Sequence, residues 1–122
     1  MVKTIMIVDD SATLRQVVSI ALKGAGYEVI EGVDGKDALA KLTGQKVHLI
    51  ISDVNMPNMD GFTFVVEVKK LPAYKFTPII MLTTEAGENK KAAGQAAGAK
   101  AWVVKPFKPD QMLNAVSKLI MP

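Results

Sequence analysis

Four short apolar runs in this chain each end in a side chain that could do chemistry. Asp9 and Asp10 follow Thr4–Val8, Asp53 follows residues 49–52, Thr83 and Thr84 follow residues 79–82, and Lys105 follows Ala101–Val104. Residues 49–52 suit a strand buried on both faces, and residues 79–82 read as another buried strand. A carboxylate where such a strand breaks surface is costly unless something pairs with it. In a parallel sheet the carboxyl ends of the strands lie along one edge, where ligands bind. Three carboxylates, two hydroxyls and one amine would then converge. Unpaired carboxylates repel, and at least one pKa would rise. A hard divalent cation removes the conflict: Mg²⁺, or Mn²⁺ in its place, takes oxygen ligands and uses few carboxylates. Three negative charges, a dication and the Lys105 ammonium sum to zero. A phosphoryl group on Asp53 would have its oxygens met by the cation, by Lys105 and by a threonine hydroxyl, the groups that stabilise in-line phosphoryl transfer. A carboxylate is an accepted nucleophile for an aspartyl phosphate.

The elements that must position these residues are legible in the spacing. After the first strand, Ser11 or Asp10 can cap a helix whose stripe is Leu14, Val17, Val18, Ala21 and Leu22, ended by Gly24 and Gly26. A short strand over residues 28–31 and a helix over residues 35–42, closed by Gly44, precede the central strand. His48, in a polar stretch before that strand, is expected at the surface. Asn55, Pro57 and Asn58 stop the strand, and Asp60 can cap a helix after it. Residues 62–71 fit both alternation and a helical stripe; helix is preferred, because parallel strands need a crossover. After the strand ending in Thr83-Thr84 comes a helix from Asn89 to Ala97, mostly alanine and lysine, with Gly94 in its middle. Gly94 costs roughly 1 kcal/mol against alanine, so this helix is the loosest of the set. Pro109 opens a last helix with the stripe Met112, Val116, Leu119 and Ile120. Strands thus alternate with helices, which argues an α/β fold with a parallel sheet covered on both faces.

Composition narrows the classes. The 122 residues suit one domain with a sizeable core, and a hydrophobic share of 49% excludes a disordered chain. There is no cysteine, hence no disulfide framework and no thiolate zinc site. No apolar run approaches the length of a membrane span, and Asp9-Asp10 interrupt any signal-peptide pattern. A cytoplasmic protein is expected. The net charge of +3 is spread over scattered lysines, so a solvated surface is expected and no nucleic-acid patch.

The motifs IVDDS (7–11), SDVNMPNMDG (52–61), MLTTEA (81–86) and AWVVKPF (101–107) span the chain, and in them the sequence resembles a response-regulator receiver domain of the free-standing CheY type. The resemblance implies a flavodoxin-like, doubly wound five-stranded sheet in the order 2-1-3-4-5, as a single domain over residues 1–122 with no output domain. It implies Asp53 as phosphoacceptor, Asp9 and Asp10 as metal residues with Asp10 the direct ligand, and Asn55 giving its backbone carbonyl to the metal. It implies Thr83 as switch hydroxyl, Lys105 as phosphate-binding amine, and a cis peptide at Lys105-Pro106. Trp102 falls where the family places a rotating aromatic, although the residue also fits ordinary core packing. Thr84 stands where a smaller residue often guards the site, and it fits an ordinary turn equally well.

The function implied is a two-component signalling module, in chemotaxis or outside it. A histidine kinase would pass phosphoryl to Asp53, and a downstream protein would read the change through the 89–97 helix, the last strand and the last helix. No turnover of a foreign substrate is expected, and a monomer is expected. The rival is an Mg²⁺-dependent phosphohydrolase with an aspartyl nucleophile. Enzymes of that kind use Asp-x-Asp with the second Asp as general acid, and here position 55 is Asn. No G-x-x-x-x-G-K-[ST] pattern supports a P-loop.

Overall fold

Helix-capping chemistry and strand alternation set the element order. In the computed structural model, residues 2–54, 56–83, 98–105 and 108–120 are described. The strands are β1 (Thr4–Val8), β2 (Glu28–Gly32), β3 (Leu49–Asp53), β4 (Ile79–Thr83) and β5 (Ala101–Val104). Among the described residues the helices are α1 (Ala12–Gly24), α2 (Gly35–Lys41), α3 (Gly61–Lys70) and α4 (Pro109–Leu119), with a 3₁₀ turn at Pro72–Tyr74. Ser11, rather than Asp10, caps α1, accepting from the Leu14 N–H at 3.2 Å. Asp34 caps α2 and Asp60 caps α3, each accepting an N–H three residues on at 2.8 Å. The ambiguous segment after Asp60 is helical. Pro109 takes the first turn of α4, where its missing N–H costs nothing.

All five strands are parallel and lie in the order β2-β1-β3-β4-β5. The expected flavodoxin-like topology is therefore the one observed. Alternation splits the apolar residues between two layers. Met6, Val8, Ile50, Ile79 and Met81 face Ala38 of α2 and Phe64, Val65 and Val68 of α3. Ile5, Ile7, Leu49, Ile51, Ile80 and Leu82 face Val18 and Leu22 of α1 and Met112 and Val116 of α4. Each fully buried aliphatic side chain contributes about 1.5–3 kcal/mol, so both layers hold the three inner strands firmly. Val17, placed in the α1 core stripe by spacing, is 48% exposed, whereas Val18 and Leu22 of the same stripe are buried against the sheet.

His48 is a correction. It is buried, not at the surface, and its Nδ1 accepts the Thr4 N–H at 3.0 Å. The imidazole thereby satisfies a backbone donor at the start of β1. No described helix is long and apolar enough to cross a membrane.

Candidate functional site

β1 and β3 are hydrogen-bonded neighbours, with Val8 opposite Ser52, so their exits open side by side. Asp9 leaves β1 and is held at every polar group. Its N–H donates to Gly32 O at 3.1 Å, and its Oδ1 accepts the Ser11 N–H at 2.8 Å. Its Oδ2 accepts from Lys105 Nζ at 3.1 Å. The same ammonium donates to Asp53 Oδ1 at 3.0 Å. Lys105 arrives just beyond β5, its N–H donating to Thr83 O at 2.6 Å. Thr83 ends β4, fully buried and paired in register with Val104.

One carboxylate oxygen from each of Asp9, Asp10 and Asp53 lies within 4.8 Å of the others. Asp9 and Asp53 are buried and Asp10 is exposed. Burial raises the Asp53 carboxyl above its ordinary value; the Asp9 charge adds to the rise and the Lys105 hydrogen bond opposes it. Burial alone would lower Lys105, but the Asp53 hydrogen bond and the Asp9 charge outweigh it and hold the ammonium above its ordinary value. The amine is therefore charged throughout the neutral range.

The loop after Asp53 turns back at Asn58, whose backbone takes the left-handed φ of 68° that asparagine tolerates. Its Nδ2 donates to Asp34 Oδ2 at 2.8 Å, tying this loop to the cap of α2. Gly61 then donates its N–H to Val54 O at 2.8 Å. A Cβ at Gly61 would overlap the Asp53 carbonyl oxygen and come within 2.9 Å of Val54 Cα, so only glycine lets α3 start this close to the site.

The structure thus brings together Asp9, Asp10, Asp53 and Lys105, with Thr83 on the adjacent strand. Asn55, Thr84, Pro106 and the expected 89–97 helix lie outside the described residues, and with Pro106 the expected cis peptide. Trp102 lies on the opposite sheet face from Ala101 and Val103, as alternation requires, and stacks on Phe62 of α3 with ring centroids 6.3 Å apart. Sequence spacing did not single out Arg15, whose Nη1 donates to the Asp9 carbonyl. Its one available signal was a place one turn into the helix that follows Asp9-Asp10.

Comparison with known proteins bears on this arrangement. A family profile described as the response regulator receiver domain matches residues 5–117. Protein PilG of Pseudomonas aeruginosa is 38% identical over 112 residues, 92% of this chain and 83% of that protein. The crystallised chemotaxis protein CheY4 of Vibrio cholerae is 49% identical and superposes with a TM-score of 0.94, covering 98% of this chain and 99% of that one. The receiver domain of the Pseudomonas aeruginosa sensor histidine kinase PA1611, crystallised with a magnesium ion coordinated in its active site cleft, is 25% identical at a TM-score of 0.89, covering 98% of both chains.

Proposed function

The chain belongs to the response regulator receiver domain family, a class of phosphorylation-dependent signalling modules, and we propose on that premise that Asp53 is its phosphoacceptor, loaded by a histidine kinase in a chemotaxis-type pathway. The observation that carries the assignment is the Lys105 ammonium shared between Asp9 and Asp53 at the carboxyl edge of the sheet.

Three carboxylates against one ammonium leave two negative charges uncompensated, the charge of a dication. The donors are all oxygen, which fits Mg²⁺ or Mn²⁺. Asp9, Asp10 and Asp53 would hold it with the Asn55 backbone carbonyl, and when bound it neutralises the cluster so that an anionic phosphoryl group can approach. Asp53 is buried, so little water competes for its nucleophilic oxygen. That oxygen forms the new bond to phosphorus as the donor's bond breaks in line. Lys105 trades a carboxylate for a phosphoryl oxygen within the same reach. The Thr83 hydroxyl takes another oxygen, Thr84 gates access, and Trp102 registers the change on β5. The downstream protein reads it through residues 89–97, β5 and α4. The module acts as a cytoplasmic monomer, assists its own phosphorylation and hydrolysis, and turns over no foreign substrate. Asn55 lacks the proton an Asp-x-Asp phosphohydrolase needs at that position, and the family membership does not favour that chemistry.

Incubated with a small acyl phosphate and Mg²⁺, the intact chain should gain one phosphoryl group by mass, and none in excess chelator. Many turnovers on a phosphomonoester would overturn the signalling assignment.

A further inference from the structure

We propose that Arg15 is a positioning residue for the metal-holding carboxylates: it clamps the peptide between Asp9 and Asp10 against β2 and so keeps Asp10 within reach of Asp53. This rests on the divalent-cation site proposed above. The Arg15 side chain is only 13% exposed, unusual for an arginine on a surface helix. Its Nη1 donates to the Asp9 carbonyl at 2.5 Å, while its Nε lies 3.3 Å from Glu31 Oε1 on β2. Nε makes no hydrogen bond among the described residues, so charge attraction is what holds Glu31. Glu31 is itself anchored, because its backbone carbonyl accepts Lys41 Nζ from α2 at 2.6 Å.

The geometry makes this contact matter for Asp10 in particular. Asp9 is fixed by its own side chain, through Ser11 N–H and Lys105. Asp10 is exposed, so its direction depends on its backbone. A peptide unit is planar, so anchoring the Asp9 carbonyl oxygen also sets the plane from which Asp10 springs. The Arg15 guanidinium provides that anchor, with its planar fork pulled in the second direction by Glu31. The contact is to a backbone oxygen and leaves the carboxylates free for the cation.

Coulomb attraction alone predicts the opposite outcome, which makes the proposal testable. Deleting a positive charge beside three carboxylates should tighten binding of a dication; losing the clamp should weaken it. Mg²⁺ binding to the unphosphorylated full chain is measured by calorimetry for wild type, Arg15→Gln, Arg15→Lys and Glu31→Gln, with circular dichroism as the folding control. The expected result is about tenfold or greater weakening in Arg15→Gln, as for outer-shell partners of metal ligands. Arg15→Lys should fall between it and wild type, because one ammonium can still reach the Asp9 carbonyl. Glu31→Gln, which removes the charge attraction that pulls the fork toward β2, should also weaken binding, by less than Arg15→Gln. If Arg15→Gln does not fold, a few-fold weakening in Arg15→Lys carries the proposal. Affinity unchanged or tighter in the folded Arg15 variants overturns it. Failure of wild type itself to bind Mg²⁺ overturns the cation site, and the role of Arg15 with it.

Discussion

Replacing Lys105 with Met removes the ammonium that Asp9 and Asp53 share while keeping most of the side-chain volume. Both acceptors are nearly dry: the Asp9 side chain is 1% exposed and that of Asp53 is 7%. Deleting one partner of a buried ion pair costs about 3–5 kcal/mol, since the other charge stays buried. Lys105 itself is 18% exposed, and Asp53, already raised, can take up a proton. The expected loss without metal is therefore about 2–3 kcal/mol, which lowers Tm by roughly 6–12 °C for a domain of this size. Mg²⁺ should return part of it. A cation at a hundred times its Kd stabilises by about 2.7 kcal/mol, and the variant, with no ammonium competing for the same carboxylates, should bind it more tightly. Each tenfold gain in affinity closes the gap by about 1.4 kcal/mol. Urea unfolding of both proteins in chelator and in saturating Mg²⁺ measures the two gaps. A metal-free gap below about 0.5 kcal/mol, the scale of an exposed ion pair, would refute the buried-pair account. A gap that Mg²⁺ leaves unchanged would refute the claim that ammonium and dication serve the same carboxylates.

Burial raises the folded-state pKa of Asp53, so the native protein keeps a proton that the unfolded chain has released. Stability should fall as pH rises from the ordinary carboxylate value through the raised one, and Asp53→Asn should flatten that part of a metal-free urea-unfolding profile. Gly61→Ala should cost about 3 kcal/mol or more in urea unfolding and depress phosphorylation, because the new Cβ meets the Asp53 carbonyl and Val54. Phe62→Ala should increase quencher access to Trp102, the only tryptophan, by removing its stacking partner. In the wild type, Mg²⁺ with beryllofluoride should change that access, Mg²⁺ alone should not, and Thr83→Ala should blunt the change.

Much of the site was legible because its residues are placed by position along the chain. Asp53 stands where a buried strand breaks surface and Lys105 just past the edge strand β5, and four strand exits with matched chemistry imply a parallel edge. Asp60 and Pro109 were readable as helix starts for equally local reasons. Strand order was not, since buried parallel strands carry the same apolar pattern whichever neighbour they pair with; it came from the family resemblance. What stayed hidden depends on long-range reach. Arg15 looks like a solvated helix residue until β2 brings Glu31 beside it. His48 looks polar and exposed until the Thr4 N–H needs an acceptor. Asn58 reads as a generic turn former, and its bond to Asp34 joins two loops distant in sequence. Phe62 could be assigned to helix or strand, but its stacking on Trp102 emerges only once α3 lies across the sheet.

The central claim is that Asp53 carries the phosphoryl group. Phosphorylation with a small acyl phosphate and Mg²⁺, then borohydride reduction and peptide mass mapping, places the modification on one residue. The account predicts a single reduced product at Asp53, absent in Asp53→Asn. Phosphoryl mapped mainly to Asp9, Asp10 or a residue outside the cluster, or retained by Asp53→Asn, would contradict it.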